Sequence, residues 1–433
     1  MCIRRKEGCA NMKIQAVLID GFKNLSNVKI KLDNITALVA LNNFGKSNVL
    51  SGIDFGLGFI KATEEEKKDM MANSDFIPEN INAIGRNYKF EMEALTVMNK
   101  IEYRMLFAYE FVWEFSDRSE PHIVSEVLKI KREGKGNKYQ QLINRNSHNA
   151  VYKSSETGRC SSKINVEPTE FVLNKLRAYD ELFYATIIKK FHTMRFYMEN
   201  NLDAKKFYKP DPIIRKGLEG INIDASNLPR VIYQLKESYP DKFELLKDIY
   251  MNLFPNVKDI IVKQYSFSGK ELPEDVPFVM ANSIYVLYVA DKNIPSPVPF
   301  EVMSDGAKRV FMILTKIILA NVANIALIAI EEPENCVHPS LFRDFIQVIC
   351  QLLDDCKVII TSHSPYIISY LEPSWIHVGI NKQPGIATFF AFKKSGEKLL
   401  QKDAAEFKMS TGDYLFSMMA DEGSSWEDYL ECE

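Results

Sequence analysis

At 433 residues, 46% of them apolar and 26% charged, the chain is long enough for two or three globular domains and needs no disulfide or metal staple to bury a core. A formal charge of -3 excludes whole-molecule electrostatics as a reason for tight nucleic-acid or membrane binding. The cysteines at 2, 9, 160, 336, 350, 356 and 432 show no C-x-x-C pair and no metal-ligand spacing, which reads as reduced thiols of a cytoplasmic protein.

Residues 1–11 are basic and lack the apolar stretch of a secretion signal, so a disordered extension is predicted there. Lys13 to Asp20 and Asn27 to Leu32 read as strands around a turn at Gly21–Leu25, with Val28, Ile30 and Leu32 alternating. Ile35 to Leu41 is an apolar, partly β-branched run that suits a buried strand. It leads into Ala40-Leu41-Asn42-Asn43-Phe44-Gly45-Lys46-Ser47, a phosphate-binding loop pattern with Ala40 in place of its first glycine. Val49, Leu50, Ile53, Leu57 and Ile60 then fall on one helical face, although Gly52, Gly56 and Gly58 weaken the helix. In such a loop backbone N–H groups surround a phosphate, Lys46 reaches the outer phosphates and the Ser47 hydroxyl ligates Mg²⁺. The charged stretch 61–75 reads as a solvated helix or loop.

From Tyr88 to Lys153 several runs read as strands: Tyr88 to Val97, Ile101 to Phe115, Val124 to Arg132, Tyr139 to Asn144 and Ala150 to Lys153. They predict an antiparallel β subdomain over 88–165. Its basic residues Lys129, Lys131, Arg132, Lys135 and Lys138 could touch phosphates, and a solvated hairpin is the favoured reading. A helical region follows over 166–256. Val172, Leu176, Tyr179, Phe183, Ile187 and Met194 form a stripe, and the segment of nearly thirty residues opened by Pro168 would, as one helix, span about 40 Å. Prolines at 210, 212, 229, 240 and 255 divide the rest into short helices. Strands resume over Val257 to Val302, with Ser283 to Ala290 the clearest.

The remaining segments carry charge at element ends. Ser304-Asp305-Gly306-Ala307-Lys308-Arg309 opens a strong helix, where N–H groups and the helix dipole favour an anion and ordinary capping explains the same residues. Ile325 to Ile330 is an uninterrupted apolar run ending in Glu331-Glu332-Pro333-Glu334. At that strand end Glu331 can hold a Mg²⁺ shell and Glu332 can orient a water. A helix is predicted from Pro339, then a buried strand Lys357 to Thr361 ending in Ser362-His363-Ser364-Pro365. Trp375 to Phe392 reads as two strands, and the acidic tail Asp421 to Glu433 as solvated or partner-binding. No apolar run reaches the roughly 18 to 20 residues of a membrane span.

The order of phosphate loop, Ser-Asp-Gly helix start, apolar strand with paired glutamates and strand with Thr-Ser-His-Ser-Pro resembles the ATP-binding-cassette (ABC) class of ATPase head. More narrowly, Ile330-Glu331-Glu332-Pro333-Glu334, His338-Pro339 and Thr361 to Pro365 resemble the overcoming-lysogenization-defect (OLD) family and its SMC-like, RecF-like AAA relatives in bacteria. The resemblance covers about 12–60 and 300–380. It implies an α/β ABC-type ATPase head with an antiparallel β subdomain and an inserted short helical region. Core halves are expected at 12–87 and 257–395, and a tail at 396–433. It implies ATP and Mg²⁺ as cofactors, with Asn42, Asn43, Phe44, Gly45, Lys46, Ser47 and Asn48 as the nucleotide loop. Glu331 becomes the metal-holding acid, Glu332 the hydrolytic glutamate and His363 the switch histidine. Ser304, Asp305, Gly306 and Lys308 become the signature segment, which in this class touches ATP held by another subunit, so a homo-oligomer of at least two chains is implied. After His363 the chain shows no Asp-x-Asp of the nuclease domain carried by OLD-type nucleases. In domain content it is similar to the ATPase subunits of two-gene anti-phage systems such as PARIS and Septu. That similarity implies a sensor or scaffold acting with a separately encoded nuclease or toxin, triggered by a phage protein or DNA. The other readings are a DNA-repair or recombination ATPase and a nucleotide-locked scaffold, the latter suggested by Ala40.

Overall fold

The computed structural model describes residues 12–114, 120–134, 136–199, 213–215, 227–266, 278–280, 282–323, 325–353, 356–421 and 424–431. The extension expected at 1–11 and the prolines at 210 and 212 lie outside them. The chain divides into two compact units, Met1–Met198 with Ala326–Ile330 and Asp355–Glu433, and Glu199–Ile325 with Glu331–Asp354.

The first unit holds two sheets, counted among the described residues. One has six strands in the order Arg195–Glu199, Ile325–Glu331, Lys357–Ser362, Ile35–Val39, Ile376–Ile380, Thr388–Ala391. Its central strands are buried from end to end, as expected of strands covered on both faces, and Lys357–Ser362 and Ile376–Ile380 both flank Ile35–Val39 in parallel. The other is antiparallel and eight-stranded, ordered Val28–Lys31, Lys13–Asp20, Tyr88–Met98, Ile101–Val112, His122–Arg132, Gln140–Arg145, Ala150–Tyr152, Ser162–Lys163. The segment expected to form a β subdomain therefore continues a sheet begun by the two amino-terminal strands. Its long strands alternate buried and half-exposed residues.

An unbroken helix, Lys46–Lys61, packs on that sheet. Its glycines serve packing: a Cβ on Gly56 would stand 2.2 Å from the Phe90 ring, and the Gly52 and Gly56 carbonyls accept hydrogen bonds from the Tyr88 and Tyr109 hydroxyls at 3.2 and 2.8 Å. Phe55, Phe59, Phe111 and Trp113 complete an aromatic core there. The stretch after it forms the helix Glu64–Ala72, opened by a Thr63/Glu66 capping box.

The stripe from Val172 to Met194 is not one helix. It is broken into Val172–Lys175, a 3₁₀ turn Leu176–Ala178 and Ala185–Thr193, although Leu176, Tyr184, Ile187, Ile188 and Phe191 are all buried. Contacts remote in sequence set where the first helix begins. Buried Glu126 accepts from the Val172 and Leu173 N–H groups at 2.7 and 2.8 Å, and the Arg145 guanidinium donates to the Glu167, Pro168 and Glu170 carbonyls. Burial pushes the Glu126 carboxyl up to about 7.

The region before the acidic tail is helical, and the tail, expected to be solvated or partner-binding, docks at one point. Lys394–Glu406 and Thr411–Ala420 are helices, and Leu430 is fully buried, with the Glu431 N–H donating to the Ala391 carbonyl at 2.9 Å.

The second unit pairs the antiparallel strands Val257–Ser266, Ser283–Asp291 and Val298–Pro299 with the helices Leu228–Ser238 and Pro240–Leu253, each carrying its proline in the first turn. It also contains the helices Asp305–Ala323 and Pro339–Leu352. Among the described residues no helix is long and apolar enough to cross a membrane.

Candidate functional site

In the first unit, strand Ile35–Val39 runs through Ala40 into the loop and the helix that starts at Lys46. Asn43 (φ 58°) and Gly45 (φ 122°) are both left-handed, the kind of backbone from which anion-binding turns are built. Gly45 is required twice over, since a Cβ there would also stand 2.9 Å from the Ala387 Cβ and 3.0 Å from the Asn24 side chain. The helix has Gly45 at its N-cap and no side-chain cap hydrogen bond, which leaves the positive end of its dipole at the loop. Buried Lys46 extends its ammonium back over the loop, donating to the Ala40 and Leu41 carbonyls at 2.8 and 3.0 Å. Asn42, Asn43 and Ser47 are exposed. These features suit a polyphosphate: donors, a positive helix end and one ammonium converge on a solvent-facing loop.

Ala40 is a fully buried residue outside the left-handed set. The space is made on the neighbouring strand, where a Cβ on Gly379 would stand 2.7 Å from the Ala40 Cβ and 2.6 Å from the Phe44 ring. Sequence reasoning missed Asn24. From the turn between the first two strands, its amide donates to the Phe44 carbonyl at 3.2 Å and its side-chain oxygen accepts from the Asn48 amide at 2.8 Å. Strand Lys357–Ser362 lies beside Ile35–Val39 with Ser362 opposite Val39, so the half-buried His363 leaves the sheet at the level where the loop begins.

The second unit brings the Ser-Asp-Gly and paired-glutamate segments together. Glu331 ends its strand half-buried, and Glu332 is left-handed at φ 46°. A non-glycine residue in that region carries a strain of about 1 kcal/mol or more. The turn is held by two groups: Arg309 donates to the Glu331 and Glu332 carbonyls at 3.1 and 2.6 Å, and the Asn335 amide donates to a Glu332 carboxylate oxygen at 2.6 Å. Neither was assigned a role from sequence, and only their adjacency to the two motifs signals them. Ser304 caps the Asp305 helix, its hydroxyl accepting from the Ala307 N–H at 3.3 Å, and both Ser304 and Asp305 are exposed. Lys308 is buried, with its ammonium 2.8 Å from the Asp305 carboxylate and 3.3 Å from the Glu301 carbonyl. Gly306 is there for space: a Cβ would stand 2.1 Å from the Cys336 carbonyl oxygen. His338 caps the Pro339 helix, its Nδ1 accepting from the Ser340 N–H at 3.3 Å.

Residues 12–368 match the family model described as an AAA ATPase domain. The chain belongs to that family. The match includes the phosphate loop, Asn24, the Ser-Asp-Gly helix start, the paired glutamates and His363, and stops before the last two sheet strands, one of which carries Gly379. Nothing among curated proteins matches the chain. Solved structures with a similar course include an SMC head bound to the C-terminal winged-helix domain of ScpA, at 13% identity and a TM-score of 0.44, covering 87% of this chain and 96% of that one. The SMC head domain from Thermotoga maritima aligns at 12% identity and TM-score 0.39, covering 88% and 100%. The Pyrococcus furiosus Smc head with an extended coiled coil and bound ScpA C-terminal domain aligns at 14% and 0.45, covering 92% and 100%.

Proposed function

We propose that this AAA ATPase domain hydrolyses ATP at a site shared by two copies of the chain. The observation that carries the reading is the phosphate loop itself, with its left-handed Asn43 and Gly45, an uncapped helix start and Lys46 poised over the loop. On binding, the Lys46 ammonium exchanges the Ala40 and Leu41 carbonyls for phosphate oxygens, at little cost because both partners are hydrogen-bond acceptors. Ser47 and Glu331 are the residues that would hold Mg²⁺, whose charge offsets that of the outer phosphates. Glu332 orients the attacking water, with its backbone pinned by Arg309, and His363 contacts the outermost phosphate. Exposed Ser304 and Asp305 at the start of their helix meet the ATP of the second copy.

In the wider role, the chain is the sensor or scaffold subunit of a two-gene bacterial anti-phage system and acts on a separately encoded nuclease or toxin. This rests on the motif resemblance. ATP clamps the copies together and turnover changes their hold on the effector. Lys46→Ala and Glu332→Gln are each expected to abolish ATP hydrolysis, and unchanged turnover in both would sink the site assignment. Purification with the neighbouring gene product tests the wider role: a bound nuclease or toxin supports it, and a chain that elutes alone counts against it. Hydrolysis that rises with DNA and falls steeply with salt would favour a DNA-repair ATPase instead.

A further inference from the structure

The family match ends at Ile368, yet the chain beyond it folds back onto the segment that carries His363. His363 is followed by the short helix Pro365–Ile368, and the Ser364 N–H donates to the Ser362 hydroxyl at 3.0 Å. The last helix, Thr411–Ala420, packs on that short helix, with Leu415, Met418, Ile367 and Ile368 all buried. They approach closely at Gly412, where a Cβ would stand 2.0 Å from the Pro365 carbonyl oxygen and 2.8 Å from its carbon. Gly412 is outside the left-handed region, so its backbone suits any residue and only the Pro365 carbonyl demands a glycine. Ser410 caps the start of this helix next to Gly412, its hydroxyl accepting from the Asp413 N–H at 3.1 Å.

The other end of this arm is anchored on the sheet. Around the helix Lys394–Glu406, the Lys393 N–H donates to the Tyr429 carbonyl at 2.9 Å and the Tyr429 hydroxyl donates to the Asp403 carboxylate at 2.6 Å. The Glu431 N–H donates to the Ala391 carbonyl of the edge strand at 2.9 Å. Phe407 and Tyr414 stack at 5.5 Å and join the two helices. A continuous strut thus runs from strand Thr388–Ala391 through both helices to Pro365, two residues beyond His363.

We propose that this carboxyl-terminal strut sets the position of His363 for ATP hydrolysis, with Gly412 as its positioning residue. The proposal rests on the reading of His363 as a contact to the outermost phosphate. A side chain at 412 pushes the Pro365 carbonyl by about 1 Å or more, and a misplacement of that size at a reacting centre costs on the order of 10- to 100-fold in rate. The test is steady-state ATP hydrolysis and ATP-analogue affinity for Gly412→Ala, His363→Ala and the double variant, with thermal unfolding of each. Gly412→Ala is expected to lower kcat about tenfold or more with ATP affinity unchanged. It is expected to add nothing in the His363→Ala background, because both changes act through one group. A folded Gly412→Ala chain with unchanged kcat, or with the same loss in both backgrounds, overturns the proposal while leaving the role of His363 intact. If His363→Ala itself turns over normally, the reading of His363 fails and the proposal falls with it. Should Gly412→Ala not fold, Ser410→Ala loosens the same contact more mildly, and its expected kcat loss is smaller and likewise absent without His363.

Discussion

Asn24 holds the phosphate loop from outside it, and its removal has a calculable effect. Asn24→Ala deletes the hydrogen bond to the Phe44 carbonyl and leaves the Asn48 amide without its acceptor. Each half-buried bond contributes about 1 kcal/mol net, so about 2 kcal/mol of loop ordering is lost. If nucleotide binding must restore that order, affinity for ATP falls roughly 30-fold, since every 1.4 kcal/mol is a factor of ten. Asn24→Asp keeps the acceptor for Asn48 but sets a carboxylate against the Phe44 carbonyl and beside the triphosphate, so a larger loss is expected. Asn48→Ala removes one of the two bonds and costs roughly fivefold, and the Asn24/Asn48 double variant binds no more weakly than Asn24→Ala alone. Titration of a fluorescent ATP analogue with Mg²⁺ measures all four, alongside thermal unfolding. Binding of Asn24→Ala within twofold of the wild type would refute the reasoning, because the loop would then hold its shape without the turn.

Other expectations follow from the same geometry. His377 is buried with its Nε2 accepting the Lys31 N–H at 3.2 Å, and desolvation lowers its pKa from 6.5 to about 4. The unfolded chain therefore takes up a proton that the folded one refuses as pH falls below 6.5, and about 3 kcal/mol of stability present above that pH is lost on the way to pH 4. His377→Gln keeps an acceptor for Lys31 without titrating, so urea unfolding between pH 7 and 4.5 should show a flatter profile, and an unchanged slope would contradict the assignment. Arg309→Lys loses the guanidinium nitrogen that donates to both carbonyls and lets Glu332 relax from its left-handed conformation. Hydrolysis is expected to drop tenfold or more with ATP affinity unchanged, and a variant that turns over like the wild type would show that the strained turn is incidental.

Elements set by local pattern were legible before the structure. Continuous apolar runs marked the buried strands at 35, 325 and 357, and alternation placed the long antiparallel strands to within a few residues. Elements set by distant partners were not. Glu126, some fifty residues upstream, supplies the carboxylate that starts the helix at Val172, and beyond it the stripe is divided, with Tyr179 left exposed. The tail was read from its charge, but Tyr429 and Leu430 anchor it among acidic neighbours. In the site, the motif residues themselves were visible. Asn24, Arg309 and Asn335 were not, because a supporting amide or guanidinium has no spacing rule relative to what it supports. Ala40 stood out as a departure, and its explanation lay in Gly379, on another strand.

Mixing two inactive variants tests most directly whether two copies of the chain share each ATP. Lys46→Ala disables the phosphate loop and Ser304→Arg blocks the helix start, so each alone is expected to be inactive. A mixed dimer has one site in which an intact loop faces an intact helix start, and one site damaged on both sides. Equal mixing, with half the dimers mixed and one of their two sites intact, should restore about a quarter of wild-type hydrolysis. No recovery in a mixture shown by size and labelling to contain mixed dimers would contradict a shared site.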